Sequence, residues 1–146
     1  MTERSLDPDL IRGKLDAVER SCATLRSVGA VDAEKLQQDP VLAAAVERLL
    51  CRLVDLAVDT NAHISAAVLR RMPGEYRESF DLARDAGALS AELVEKIKPS
   101  VGMRNAIVHE YLTVDYEIVA RAMPMALDMY GEFTRQVAAF TTAGAD

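Results

Sequence analysis

Apolar residues recur along most of this chain at three- and four-residue steps, the spacing that gathers side chains on one face of an α-helix. Ile11, Leu15, Val18, Cys22 and Leu25 form the first such stripe, behind Asp7-Pro8, a capping residue followed by proline at the first helical position. Gly29 predicts its end. A longer stripe begins at Asp39-Pro40, running through Leu42, Val46, Leu49, Leu50, Leu53, Leu56, Ala57, Thr60, Ile64, Ala67 and Val68 and stopping before Met72-Pro73-Gly74. At about 1.5 Å per residue that helix spans about 45 Å and becomes the spine of the fold. A shorter helix follows from Glu75 to Ala86, closed by Gly87, and another opens at Ser90 with Val94 and Ile97 as its stripe. Pro99 breaks or kinks it. Residues from Ser100 to Tyr111 are helical again, Asp115 caps the last helix, and Val119, Ala122, Ala126, Tyr130, Phe133, Val137 and Phe140 share one side of it. Pro124 should bend that helix. Nowhere do β-branched and aromatic residues alternate with polar ones over the length of a strand.

The expectation is an all-α protein, an antiparallel bundle of four to five helices forming one domain over residues 1–146, with an ordered core at 6–140 and a flexible tail at 141–146. With 146 residues, half of them hydrophobic, the chain can bury one core but not two. No repeat or low-complexity tract interrupts it. No apolar run approaches the ~18 residues of a membrane helix, and the opening MTERSLDPDL lacks the pattern of a signal peptide, which makes the cytoplasm the expected compartment. Cys22 and Cys51 both fall on apolar stripes, as small buried hydrophobes rather than a redox or metal pair. The methionines at 103, 123, 125 and 129 read as gap-filling core or dimer contacts.

Charge narrows the options further. A net charge of −6 works against general nucleic-acid binding, which depends on Lys and Arg neutralising phosphates, so any such binding needs a local basic cleft. Arg70-Arg71 and the Lys96/Lys98 pair are candidates for its rim, against the alternative that each is a solvated surface group.

Polar chemistry concentrates in Met103-Arg104-Asn105-Ala106-Ile107-Val108-His109-Glu110-Tyr111. On a helix, Asn105 and His109 share a face and the long Arg104 side chain reaches the same region. A guanidinium clamps phosphate oxygens, an amide orients, and an imidazole moves protons near neutral pH, so the three together suit a phosphodiester. The plainer alternative is a helix with an exposed arginine and a hydrogen-bonded histidine. His63, on the long helix, is a satisfied core or interface histidine or a supporting site residue. Asp59 could orient Arg104 or His109, and Asp55 offers similar chemistry one turn earlier.

The whole string, Gly102 to Tyr111 followed by Val114-Asp115, resembles the signature of the HEPN superfamily and of its HepT-type toxins: Arg-Asn, three residues, His, one residue, Tyr. Arg104, Asn105, His109 and Tyr111 fill its defining positions, and Asp59-Thr-Asn-Ala-His63-Ile64 is similar to the family's acidic-to-His-Ile stretch on its long second helix. The resemblance implies a metal-independent endoribonuclease, the toxin of a type VII-like toxin–antitoxin module, acting as a homodimer whose two motifs face one cleft. Arg104 would stabilise the phosphorane-like transition state, His109 would serve as general base or acid, Asn105 would orient the scissile phosphate, and the ribose 2′-OH would be the nucleophile. Tyr111 would be the residue to which a minimal nucleotidyltransferase antitoxin transfers AMP. RNA and that antitoxin are the implied partners, and no metal or cofactor is expected beyond the ATP used by the antitoxin. The alternative within the superfamily is a noncatalytic binding or dimerisation module that assists a nucleotidyltransferase. A plain helical dimerisation protein is a third, supported only by the apolar stripes.

Overall fold

The computed structural model describes residues 5–109 and 114–144. They form seven helices: α1 (Pro8–Val28), α2 (Ala33–Gln38), α3 (Pro40–Val68), α4 (Tyr76–Asp85), α5 (Ala91–Ile97), α6 (Pro99–His109) and α7 (Tyr116–Gly144). No strand occurs among the described residues. No helix among them is long and apolar enough to cross a membrane.

Most boundaries follow local chemistry. Asp7 and Asp39 each accept a hydrogen bond from a first-turn backbone N–H, Leu10 and Leu42 respectively, both at 3.1 Å, with proline at the next position. The carboxylates thereby satisfy donors that have no partner inside the helix. Gly29 and Gly87 take positive φ of 77° and 90°, which glycine adopts without the steric cost of a Cβ, and so end α1 and reverse the chain after α4. Asp115 accepts from the Glu117 N–H at 3.0 Å where α7 begins. Pro99 separates α5 from α6, sitting at the first position of α6, where its missing N–H costs nothing.

Two features depart from the expected pattern. The break at Pro99 is the expected one, but the helices number seven rather than four to five, and the link between α1 and α3 contains the unanticipated short α2. That helix is capped by Asp32, which accepts from the Lys35 N–H at 2.8 Å, and only Leu36 of its six residues is buried. One buried side chain has no periodicity to betray it. At the other end, α7 continues beyond Phe140 to Gly144. The hydroxyls of Thr141 and Thr142 bond back to the carbonyls of Val137 and Ala138, each at 2.9 Å, and Phe140 packs against the core. Pro124 lies within α7, where it leaves the Ala120 carbonyl without its helical donor.

The core is built where α1, α3 and α7 pack on one another, with α4 and α6 against α3 and with α5 against α7. Leu25, Val46, Leu50, Leu53, Val54, Ile64, Phe80, Phe133 and Val137 are all essentially inaccessible. The two cysteines are free and buried as expected, and burial pushes both thiols up from their ordinary range. Met123 is buried and Met103 and Met129 are packed at its margin, whereas Met125 is exposed. Inside the core, Tyr130 and Ser100 share a hydrogen bond of 2.8 Å, and the Ser100 hydroxyl also lies 2.6 Å from the Ile97 carbonyl. This polar link fastens the start of α6 to α7.

Candidate active site

Helix α6 is held by its first turn. Ser100 and Val101 are buried, and beyond them the helix rises towards solvent: Arg104 is half-buried, and Asn105, Ala106, Val108 and His109 are exposed. The 3.6-residue period explains the pairing of the polar groups, since Asn105 and His109 are one turn apart on the outer face while Arg104 turns back towards α3. His109 is the last residue of α6.

Arg104 is fixed from three directions. Its Nε donates to the Asp55 carboxylate of α3 at 3.1 Å, and one terminal nitrogen donates to the Asn105 side-chain oxygen at 3.3 Å. Its guanidinium carbon lies 4.8 Å from the centre of the Tyr76 ring, within the range of a cation–π contact. The arginine side chain is 20% exposed and the aspartate 35%, a partly screened pair whose value lies more in orientation than in stability. With Nε committed, the guanidinium keeps N–H groups at its other edge for an anion. Tyr76 completes the arrangement: burial, then the neighbouring Asp55 carboxylate by charge and hydrogen bonding, pushes its hydroxyl up from the usual phenol range. It is held as a neutral phenol.

These groups border an open pocket of about 300 Å³ lined by Glu75, Tyr76, Arg77, Val101, Arg104 and Asn105. The structure thus brings Arg104 and Asn105 together, with Asp55 as the carboxylate of the cluster. Asp59 instead lies 3.8 Å from Lys14 of α1 and is two-thirds exposed. His63 is also engaged elsewhere: its Nε2 accepts the backbone N–H of Asp7 at 3.0 Å, tying α3 to the start of α1. Lys96 and Lys98, candidates for a basic rim, pair with Glu92 at 3.3 Å and Asp81 at 2.9 Å. Tyr111 lies outside the described residues. Among the described residues no three His, Cys, Asp or Glu side chains are grouped to hold a metal ion. Sequence reasoning overlooked Tyr76 and Arg77, which flank the site from a different helix and carry no motif of their own.

A family profile described as "Ribonuclease HepT-like" matches residues 18–137, a span that includes the whole of this site. The chain belongs to the HepT-like ribonuclease family. Among curated proteins of this family, it is 28% identical over 136 residues to the "tRNA nuclease HepT" of Aphanizomenon flos-aquae, covering 91% of this chain and 90% of that protein. It is 26% identical over 125 residues to the "mRNA nuclease HepT" of Shewanella oneidensis, covering 86% and 93%. Among solved structures, the tri-AMPylated Shewanella oneidensis HEPN toxin in complex with its MNT antitoxin superimposes with a TM-score of 0.80 at 26% identity, over 90% of this chain and 98% of that one. The fold alone is shared with the cytosolic protein of unknown function YutE from Bacillus subtilis, at a TM-score of 0.81 and 19% identity. The all-α HEPN architecture expected from the motif is therefore the one present.

Proposed function

We propose that this HepT-like protein is the toxin of a toxin–antitoxin module, an endoribonuclease that cleaves RNA without a metal ion and is silenced when a nucleotidyltransferase antitoxin transfers AMP to Tyr111. The observation that carries the reading is the oriented Arg104, its Nε bonded to Asp55 and its free edge beside Asn105 at an open pocket, in a chain of the HepT-like family.

In this reading the scissile phosphate lies against Arg104 and Asn105. A His109 imidazole takes the proton of the ribose 2′-OH, whose oxygen attacks the adjacent phosphorus. The bond to the 5′ oxygen of the next nucleotide breaks, that oxygen receives a proton, and the products are a 2′,3′-cyclic phosphate and a 5′-hydroxyl. Arg104 stabilises the negative charge that gathers on the phosphoryl oxygens in the transition state. One imidazole per chain suffices when two copies face each other, because one His109 then acts as base and the other as acid. The exposed position of His109 at the end of α6 and the exposed apolar Val108 and Ile118 nearby in sequence suit such a pairing. AMP on Tyr111, two residues from His109, would add phosphate charge where RNA phosphate must lie, and repel it. The named relatives, an mRNA and a tRNA nuclease, and the AMPylated toxin bound to its antitoxin support this assignment.

The test is expression in a bacterial host, with and without a cognate nucleotidyltransferase. Growth arrest by the wild type, relieved by His109→Ala and by the partner, is expected, with AMP found on Tyr111 by mass spectrometry after co-expression. Harmless wild-type protein carrying no modification would contradict the toxin and favour the noncatalytic module.

A further inference from the structure

Arg77, on α4, borders the same pocket as Arg104 and Asn105. Its exposed side chain reaches α6 with one terminal nitrogen, which a Cβ on Gly102 would meet at 3.0 Å. Gly102, in the interior of α6, is a weak helix former by nature, and here its lack of a side chain leaves room for that guanidinium. Arg84 pairs with Asp81 and Asp85, Arg104 with Asp55, and Arg135 with Glu132. Arg77 has no carboxylate within ion-pairing distance among the described residues, although the exposed Glu75 lies on the pocket rim. Two guanidiniums thus share one pocket, one braced by a carboxylate and one free to bind an anion.

We infer that Arg77 is a second RNA-binding residue, holding the backbone phosphate next to the scissile one while Arg104 engages the scissile phosphate itself. A polynucleotide presents consecutive anions, and a planar fork with five N–H donors and no acceptor matches a phosphate better than any other partner the pocket offers. The arrangement also accounts for how an acidic chain binds RNA: the positive charge is local, contributed by α4 and α6 together rather than by the protein as a whole. The inference rests on the ribonuclease reading given above and assigns its substrate contact outside the motif helix.

The test compares wild type, Arg77→Ala, Arg77→Lys, Gly102→Ala and the control Arg135→Ala, which makes the same charge change elsewhere. Binding of a fluorescent single-stranded RNA and cleavage kinetics are measured over a series of salt concentrations. Arg77→Ala should weaken binding by about tenfold, in line with loss of one charged hydrogen-bonding group, and reduce the slope of log affinity against log salt by about 0.7. The loss should fall mainly on KM, in contrast to Arg104→Ala, whose loss falls on kcat. Arg77→Lys should restore the salt slope while recovering only part of the affinity, because it keeps the charge and loses the fork. Gly102→Ala should displace the Arg77 guanidinium and give a smaller affinity loss without lowering the melting temperature, which separates the effect from unfolding. If wild type cleaves and Arg77→Ala behaves like Arg135→Ala, Arg77 is not a phosphate contact and the ribonuclease reading stands. If wild type neither binds nor cleaves RNA, both fall.

Discussion

Helix α3 and helix α6 meet at the site yet are built in opposite ways. The spine, α3, buries twelve of its residues across its whole length and packs on α1, α4, α6 and α7. The motif helix α6 buries Ser100 and Val101 and leaves Asn105 and His109 in solvent. One supplies a buried frame, while the other carries the candidate site's polar groups out from it, joined across the gap by the bond from Arg104 to Asp55. A stable core thus allows a helix to carry groups that contribute little to folding. Substitutions in the two regions should consequently fail in different ways.

The largest stability loss is expected in the frame. Leu53→Ala removes a fully buried side chain of α3 and should cost about 2–5 kcal/mol in urea unfolding. Arg104→Ala and His109→Ala should each lower cleavage by about 10²–10⁴-fold while moving the unfolding midpoint little, because His109 is exposed and the Arg104–Asp55 pair is partly screened by solvent. Equal stability losses in these variants and in Leu53→Ala would erase the contrast.

Asp55→Asn sharpens it. It keeps the shape of the side chain and removes the charge that orients Arg104, so cleavage should fall by about tenfold, mainly in kcat, with stability changed by less than about 1 kcal/mol. Asp59→Asn should leave kcat near wild type, since its partner is Lys14.

A smaller effect concerns alkaline pH. Burial raises the Tyr130 hydroxyl above its unfolded range, outweighing the lowering contributed by its bond to Ser100. A raised folded value favours the neutral form, so its stabilisation is complete below about pH 10, the ordinary phenol value, and is lost progressively above it. Unfolding measured across pH 9–11 should show this decline, and Tyr130→Phe should flatten it.

Much of this architecture is legible in the sequence because long amphipathic helices repeat their signal many times. The Asp-Pro starts of α1 and α3 and the glycines at 29 and 87 mark boundaries whose physical causes are local. Helix α2 escapes because its one buried residue, Leu36, has no second member to establish a period. The motif residues Arg104, Asn105 and His109 are legible for the same reason of proximity: they are neighbours on one helix. Their surroundings are not, since Asp55, Tyr76 and Arg77 come from 27 to 49 positions away in the chain and only packing selects Asp55 over Asp59. The acidic-to-His-Ile stretch lies on α3, the helix that also carries Asp55, but in the fold His63 bonds the Asp7 backbone and Asp59 pairs with Lys14.

The most direct test of the central claim is cleavage of end-labelled RNA in EDTA by unmodified protein, comparing wild type with Arg104→Ala and His109→Ala and mapping the new termini. Metal-free cleavage that yields 2′,3′-cyclic phosphate and 5′-hydroxyl ends and disappears in both variants is the predicted result. A folded, unmodified wild type that leaves RNA intact, or cleavage that persists without His109, would contradict it.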